Sequence, residues 1–86
     1  MLNDMLDENG FYKTKDLYLA STLVTLDYPY TISRVGKQFF FHFEDNKEAN
    51  LLADIENYWS KNLLVDPISL FNSFKELKTR MYDKNI

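Results

Sequence analysis

The segment SRVGKQFFFHFEDN is predicted to form a β-hairpin, although Phe39, Phe40, Phe41 and Phe43 interrupt the expected alternation of apolar and polar residues. Gly36-Lys37 at its centre is typical of a two-residue hairpin turn of type II′, which sets the strand register. The predicted pairs are Val35 with Gln38, Arg34 with Phe39, Ser33 with Phe40, Ile32 with Phe41, Thr31 with His42, and Tyr30 with Phe43. The pattern therefore predicts a β-hairpin whose register is defined by its turn.

In this register the two faces of the hairpin differ, because successive side chains of a strand point to opposite sides. The first face carries Tyr30, Ile32, Phe39, Phe41 and Phe43. The second face carries Thr31, Ser33, Gln38, His42 and Glu44, together with Val35 and Phe40. Phe40 is thus an aromatic ring on a mostly polar face, and something is expected to cover it.

Three further segments have apolar residues at helical spacing. The first helix is predicted to be capped by Thr14 and to end before the proline at position 29. The second is predicted to begin at Asp45, with Glu48 at capping-box spacing, and the third at Asp66-Pro67. The residues expected to face inward are Leu17, Ala20, Leu23 and Val24, then Leu51, Leu52, Ile55, Tyr58 and Trp59, then Leu70, Phe71, Phe74, Leu77 and Met81.

The order of these elements predicts a small α+β domain. The segment FYKT, which begins at Phe11, is expected to form a short edge strand before the first helix. The architecture is then (β)-α-β-β-α-α, an antiparallel hairpin or three-stranded sheet with the helices packed on one face. Residues 1–10 are predicted to be a flexible N-terminal arm, and residues 11–86 a single domain.

Composition narrows the class of protein. The 86 residues include no cysteine, so disulfides and thiolate metal sites are excluded and a reducing cytoplasm is expected. No apolar run approaches the ~20 residues that cross a bilayer, and the start MLNDMLDENG is acidic where a secretory signal is basic. The net charge of −3 argues against a broad binding surface for duplex DNA.

Residues that could carry catalysis or bind a cofactor are few. His42 is the single histidine, and no convergent set of acid, base and nucleophile is recognisable around it. Asp45, Asn46 and Glu48 resemble calcium ligands only loosely, and helix capping explains them. Two glycines cannot form a phosphate-binding loop. We expect neither a metal nor another cofactor, no small-molecule substrate, and no enzymatic activity.

Three interpretations of the second hairpin face remain open. The N-terminal arm or the Phe11-Tyr12 segment covers Phe40; the face binds a protein or a second copy; or Phe40 stacks on a base while Arg34, Lys37 and Lys13 contact phosphates. Tyr28, beside Pro29, is a further candidate for a partner contact. The candidate partner-binding residues are Arg34, Val35, Lys37, Phe40, His42 and Tyr28.

Several motifs, in their order and spacing, resemble a small prokaryotic and viral family, domain of unknown function 5659. They are Thr14, Asp16 and Ala20, then Phe39 to Phe43, then Tyr58 and Trp59, then Val65, Asp66 and Pro67. The resemblance covers residues 11–82. The chain departs from the family at Asp27-Tyr28, where members have glycine, and at Lys37-Gln38, where many have a basic pair. The resemblance implies no established activity, but it implies an origin in a phage or mobile element.

The expected function is therefore that of a non-enzymatic accessory protein that binds a macromolecule. A protein partner in the host is favoured, with the chain as an inhibitor or adaptor, and a defence nuclease is one example of such a target. The alternative is a module that binds single-stranded nucleic acid through the hairpin.

Overall fold

The computed structural model describes residues 11–44 and 51–83. The elements are β1 (Phe11–Thr14), α1 (Leu17–Thr25), β2 (Tyr30–Val35), β3 (Gln38–Glu44), α2 (Leu51–Trp59) and α3 (Pro67–Met81). The predicted arm at residues 1–10 lies outside the described residues, as do Asp45, Asn46 and Glu48. The predicted α+β class and element order are confirmed, including the edge strand.

The hairpin of β2 and β3 has the predicted register along its whole length, from Tyr30 opposite Phe43 to Val35 opposite Gln38. Its turn needs a positive φ at the first central position, and Gly36 adopts φ +62° there. A side chain at this position would meet nothing within 4 Å, so the backbone angle alone demands glycine.

The first strand completes a three-stranded antiparallel sheet in the order β1-β3-β2. β1 pairs with β3 from Phe11 opposite Glu44 to Thr14 opposite Phe41. β3, the strand with the most phenylalanines, is therefore central: β2 pairs with residues 38–43 and β1 with residues 41–44. Among the described residues, residues 38–40 have no strand pairing on the β1 side.

Helix α1 is capped by Asp16 and not by the predicted Thr14. The Asp16 carboxylate accepts hydrogen bonds from the backbone N–H groups of Tyr18 and Leu19, at 2.9 and 3.1 Å. The Thr14 hydroxyl instead accepts the backbone N–H of Asp16 at 3.0 Å. Thr14 belongs to β1, so it holds the turn into the helix, and the cap moves two residues on.

Helix α3 begins as predicted. Asp66 is its N-cap, with a carboxylate oxygen that accepts from the backbone N–H of Ser69 at 2.8 Å, and Pro67 stands in the first turn. The backbone hydrogen bond from Ser69 is the main reason that the pKa of Asp66 lies below its usual value. This helix start was therefore correctly predicted from sequence.

The core lies between the helices and one face of the sheet. Its buried residues come from β1, β3, all three helices and the loop after α1: Tyr12, Leu19, Ala20, Leu23, Tyr28, Phe41, Phe43, Leu51, Ile55 and Leu77. Three residues predicted to face inward are instead exposed: Phe71 at 64%, Trp59 at 48% and Leu52 at 43%. Each lies at the margin of its helix's apolar stripe.

Candidate functional site

The predicted partner-binding residues of the hairpin do not form one surface. Val35, Phe40 and His42 share the face away from the helices, as the register requires. Arg34 lies on the other face, where its Nε donates to the Gly36 carbonyl at 2.7 Å and its guanidinium lies 5.4 Å from the Phe39 ring centre. The structure thus separates Arg34 from the residues with which sequence reasoning grouped it.

The ring of Phe40 is covered by Lys13 of β1. The Lys13 ammonium lies 4.5 Å from the ring centre, in cation–π geometry, and Phe40 is half-buried. β1 lies beside β3 in the sheet and not over its outer face, so among the described residues the lysine side chain provides this cover. The predicted cover by the arm falls on residues 1–10, which lie outside the described residues.

His42 is also partnered within the sheet. Its Nε2 lies 2.7 Å from the Ser33 hydroxyl on the neighbouring strand, and Lys13 and Thr31 are its direct cross-strand partners. A serine and a histidine in contact are two parts of a nucleophilic site. Such a site also needs shelter from water, which the open face of a sheet does not provide.

Tyr28 is not available to a partner, because it is only 2% exposed. Helix α1 ends in a Schellman motif, in which the N–H of Tyr28 bonds the Leu23 carbonyl and the N–H of Asp27 bonds the Val24 carbonyl. This motif folds Tyr28 back onto Leu23 in the core, and the tyrosine hydroxyl donates to Asp54 of α2. The prediction of a partner contact at Tyr28 is wrong for this reason.

A groove that the sequence did not predict lies between the helices. It has a volume of about 260 Å³ and is lined by Tyr18, Ser21, Thr22, Tyr58, Leu70, Phe71 and Phe74. Two of its walls are rings that water reaches: Tyr18 is 68% exposed and Phe71 64% exposed. The rings of Tyr18 and Phe74 stack 5.6 Å apart and 2° from parallel. The groove therefore offers flat aromatic surfaces to solvent.

The groove is apolar even where α1 contributes hydroxyl residues. The Ser21 hydroxyl donates to the Leu17 carbonyl at 2.8 Å, and the Thr22 hydroxyl donates to the Tyr18 carbonyl at 3.0 Å. Each hydroxyl has a single hydrogen, which is thus used within the helix. These two hydroxyls have no hydrogen left to donate to a ligand, so the groove favours apolar side chains.

The two ends of the groove differ in charge. At the α3 side, the Lys78 ammonium lies 5.5 Å from the centre of the Phe74 ring. At the α1 side, burial raises the pKa of Tyr58 above its usual value, and the nearby Asp16 carboxylate adds to the rise. Trp59 lies edge-on against Tyr58, with ring centres 5.0 Å apart. The groove is therefore lined by the phenol of Tyr58, and the indole of Trp59 and the ammonium of Lys78 lie against its lining residues.

The exposed position of Phe71 explains why sequence reasoning missed the groove. In a helical projection Phe71 is about 100° from Leu70, so it marks the edge of the inward stripe. Tyr18 was not assigned to a face at all, and Ile68, 70% exposed, continues the same side of α3. The only available indication was an apolar stripe too wide for one neighbouring layer to bury.

In residues 11–44 and 51–83, no three histidine, aspartate or glutamate side chains are grouped so that they could hold a metal ion. Among the helices within the same ranges, none combines the length and the apolar character needed to span a membrane.

Comparison of the chain with protein-family models, with curated proteins and with solved structures found no match. The resemblance to the domain of unknown function 5659 therefore rests on the motifs themselves.

Proposed function

We propose that this chain is a non-enzymatic module that binds another protein through the groove between its helices. The observation that carries the proposal is the pair of exposed rings, Tyr18 and Phe71, on either side of an apolar depression. Aromatic side chains are enriched where proteins meet, because they bury a large area at a low entropy cost. The hairpin face offers less, since Lys13 already covers its one large ring.

The identity of the partner is proposed on the resemblance alone. A chain of phage or mobile-element origin and of this size acts on proteins of its host, as an inhibitor or adaptor. A defence nuclease is one host protein whose surface such a module would occupy, and the cytoplasm is where the two would meet.

Selection from a random peptide library tests the use of the groove. The library is panned against the chain, and the recovered peptides are measured by fluorescence anisotropy against two variants. Phe71→Ser is expected to weaken binding at least tenfold, since truncation of a central aromatic anchor costs about 2 kcal/mol or more. Val35→Ser, at an equally exposed position of the hairpin, is expected to leave binding unchanged.

The converse result would contradict the proposal. Peptides that lose affinity for Val35→Ser and keep it for Phe71→Ser would assign binding to the hairpin face. The proposal would also be overturned if every recovered peptide bound Phe71→Ser at least as tightly as the wild-type chain.

Binding of single-stranded nucleic acid is a second candidate, because two hairpin rings each lie near a cation. Lys13 lies over Phe40, and Arg34 lies near Phe39. Stacking rings beside cations are the elements with which proteins hold single strands. An observation against this candidate is that Lys13 already lies over the face of the Phe40 ring on which a base would stack.

Labelled oligonucleotides distinguish this candidate from the first. Contact with phosphates predicts an affinity that falls steeply with salt and that Phe40→Ser reduces. Absence of binding at low salt would eliminate the nucleic-acid function.

A further inference from the structure

Helix α3 has a second row of residues on its outward side. The row recurs at intervals of three and four: Ile68, Phe71, Lys75, Lys78 and Tyr82. All five are exposed, and Ile68 and Tyr82 are more than two-thirds accessible, at 70% and 76%. This is the spacing through which one helix packs along another. The inward stripe of α3 is separate, so the outward row plays no part in the core.

The charged residues of this row are all basic. Its centre holds two lysines, and the only acidic residue of α3, Glu76, lies on another side of the helix. Glu76 accepts the hydroxyl hydrogen of Tyr30, at 2.5 Å. Near the groove, the Asp16 carboxylate is held by two backbone N–H groups. Within residues 11–44 and 51–83, the ion pair of α3 is that of Glu76 with Arg80, and Lys75 and Lys78 form no ion pair.

A second copy of the chain is a poor occupant of this surface. Packing the row against itself, parallel or antiparallel, brings the lysine-bearing centres of the two helices together. Like charges in close opposition cost free energy, and the contacts of Ile68, Phe71 and Tyr82 would have to offset that cost. A partner with carboxylates at the same place has no such cost.

We propose that the groove and the outward row of α3 dock an amphipathic helix of a partner protein. Its apolar side chains fill the groove beside Phe71, and its acidic side chains meet Lys75 and Lys78. This inference rests on the proposed function and adds the chemistry of the partner. Helix-in-groove docking uses apolar anchors at this spacing, and charge complementarity sets which helix is accepted.

Two synthetic helical peptides test the inference. They share one apolar face of leucines, and the flanking positions are glutamate in one and lysine in the other. Binding to the full chain is followed through Trp59, the single tryptophan, which lies against Tyr58 of the groove. The acidic peptide is expected to bind more tightly, by roughly tenfold at low salt, and less so as salt rises.

Charge reversal provides the matched control. The double variant Lys75→Glu/Lys78→Glu is expected to reverse the preference, so that the basic peptide binds more tightly. The double variant Arg34→Glu/Lys37→Glu changes the net charge equally at the hairpin and is expected to keep the preference for the acidic peptide. Circular dichroism confirms that each variant retains its helices.

Three results would overturn the inference, and each is distinct from failure of the proposed function. Equal binding of both peptides, lost in Phe71→Ser, would leave the groove as a protein site without the acidic partner. Binding of neither peptide, while library peptides bind in a Phe71-dependent manner, would exclude a helix as the occupant. Self-association in sedimentation equilibrium that Phe71→Ser abolishes would make a second copy the occupant.

Discussion

At the residue scale, two non-glycine residues hold backbone angles that favour glycine. Asp27 and Lys61 have φ values of +68° and +66°, and each follows the end of a helix. Both are the left-handed residue of a Schellman motif: after α2, the N–H of Lys61 bonds the Tyr58 carbonyl, and the N–H of Asn62 bonds the Asn57 carbonyl.

Glycine at either position is expected to stabilise the fold. Asp27→Gly and Lys61→Gly each remove a Cβ from the left-handed region and should raise the free energy of unfolding by roughly 0.5–1 kcal/mol. Urea denaturation monitored by Trp59 fluorescence measures the change. Asp27→Ala retains the Cβ and should give no gain. A loss of stability in both glycine variants would show that the side chains contribute more than the strain costs.

At the element scale, a hydrogen bond from a partly exposed tyrosine hydroxyl joins β2 to α3. Tyr30 donates to Glu76 of α3, and the Arg80 guanidinium lies 5.4 Å from the tyrosine ring centre. Burial, followed by the hydrogen bond to Glu76, raises the pKa of Tyr30 to about 12 from an ordinary 10.0. The folded chain therefore holds this proton more tightly than the unfolded chain does.

This difference makes stability depend on pH in the alkaline range. The contribution from Tyr30 is fully present below pH 10, the unfolded value, and is lost as pH rises through about 12. We expect the stability of Tyr30→Phe to fall less than that of the wild type between pH 10 and about 12, when urea midpoints are compared. Glu76→Gln should lower the pKa of Tyr30, measured by phenolate absorbance. An identical pH profile for wild type and Tyr30→Phe would contradict the assignment.

At the scale of the whole molecule, helices cover one face of the sheet, and the residues that the structure describes leave the other face without a covering layer. On this second face, a lysine ammonium lies over the single large ring, and a serine hydroxyl is hydrogen-bonded to the histidine. In the helical layer, aromatic side chains that line the groove remain exposed to solvent. The protein-binding surface that we propose therefore lies on the helices and not on the sheet.

This division predicts that stability and binding can be separated within α3. Leu77 is fully buried, and Leu77→Ala should cost about 2–5 kcal/mol in unfolding free energy. Phe71 is largely exposed, and Phe71→Ser should change stability by about 0.5 kcal/mol or less. Denaturant titration of the two variants checks the contrast. A large loss in Phe71→Ser would place its ring in the core and remove the basis for a docking site.

The sequence by itself determined the features that depend on local chemistry. Gly36 set the turn and hence every pair of the hairpin, because side-chain direction alternates with a period of two. Asp66-Pro67 determined the start of α3, because a carboxylate cap and a fixed φ act within one turn. The α+β class followed from the order of such elements.

Only the tertiary structure decided which side of each element is covered. The pairing of β1 with β3 placed Lys13 over Phe40, and the Schellman motif after α1 carried Tyr28 into the core. The packing of α1 and α2 around α3 left Phe71 at the edge of a groove. These outcomes depend on contacts between residues far apart in the chain, so the apolar pattern of one segment cannot determine them.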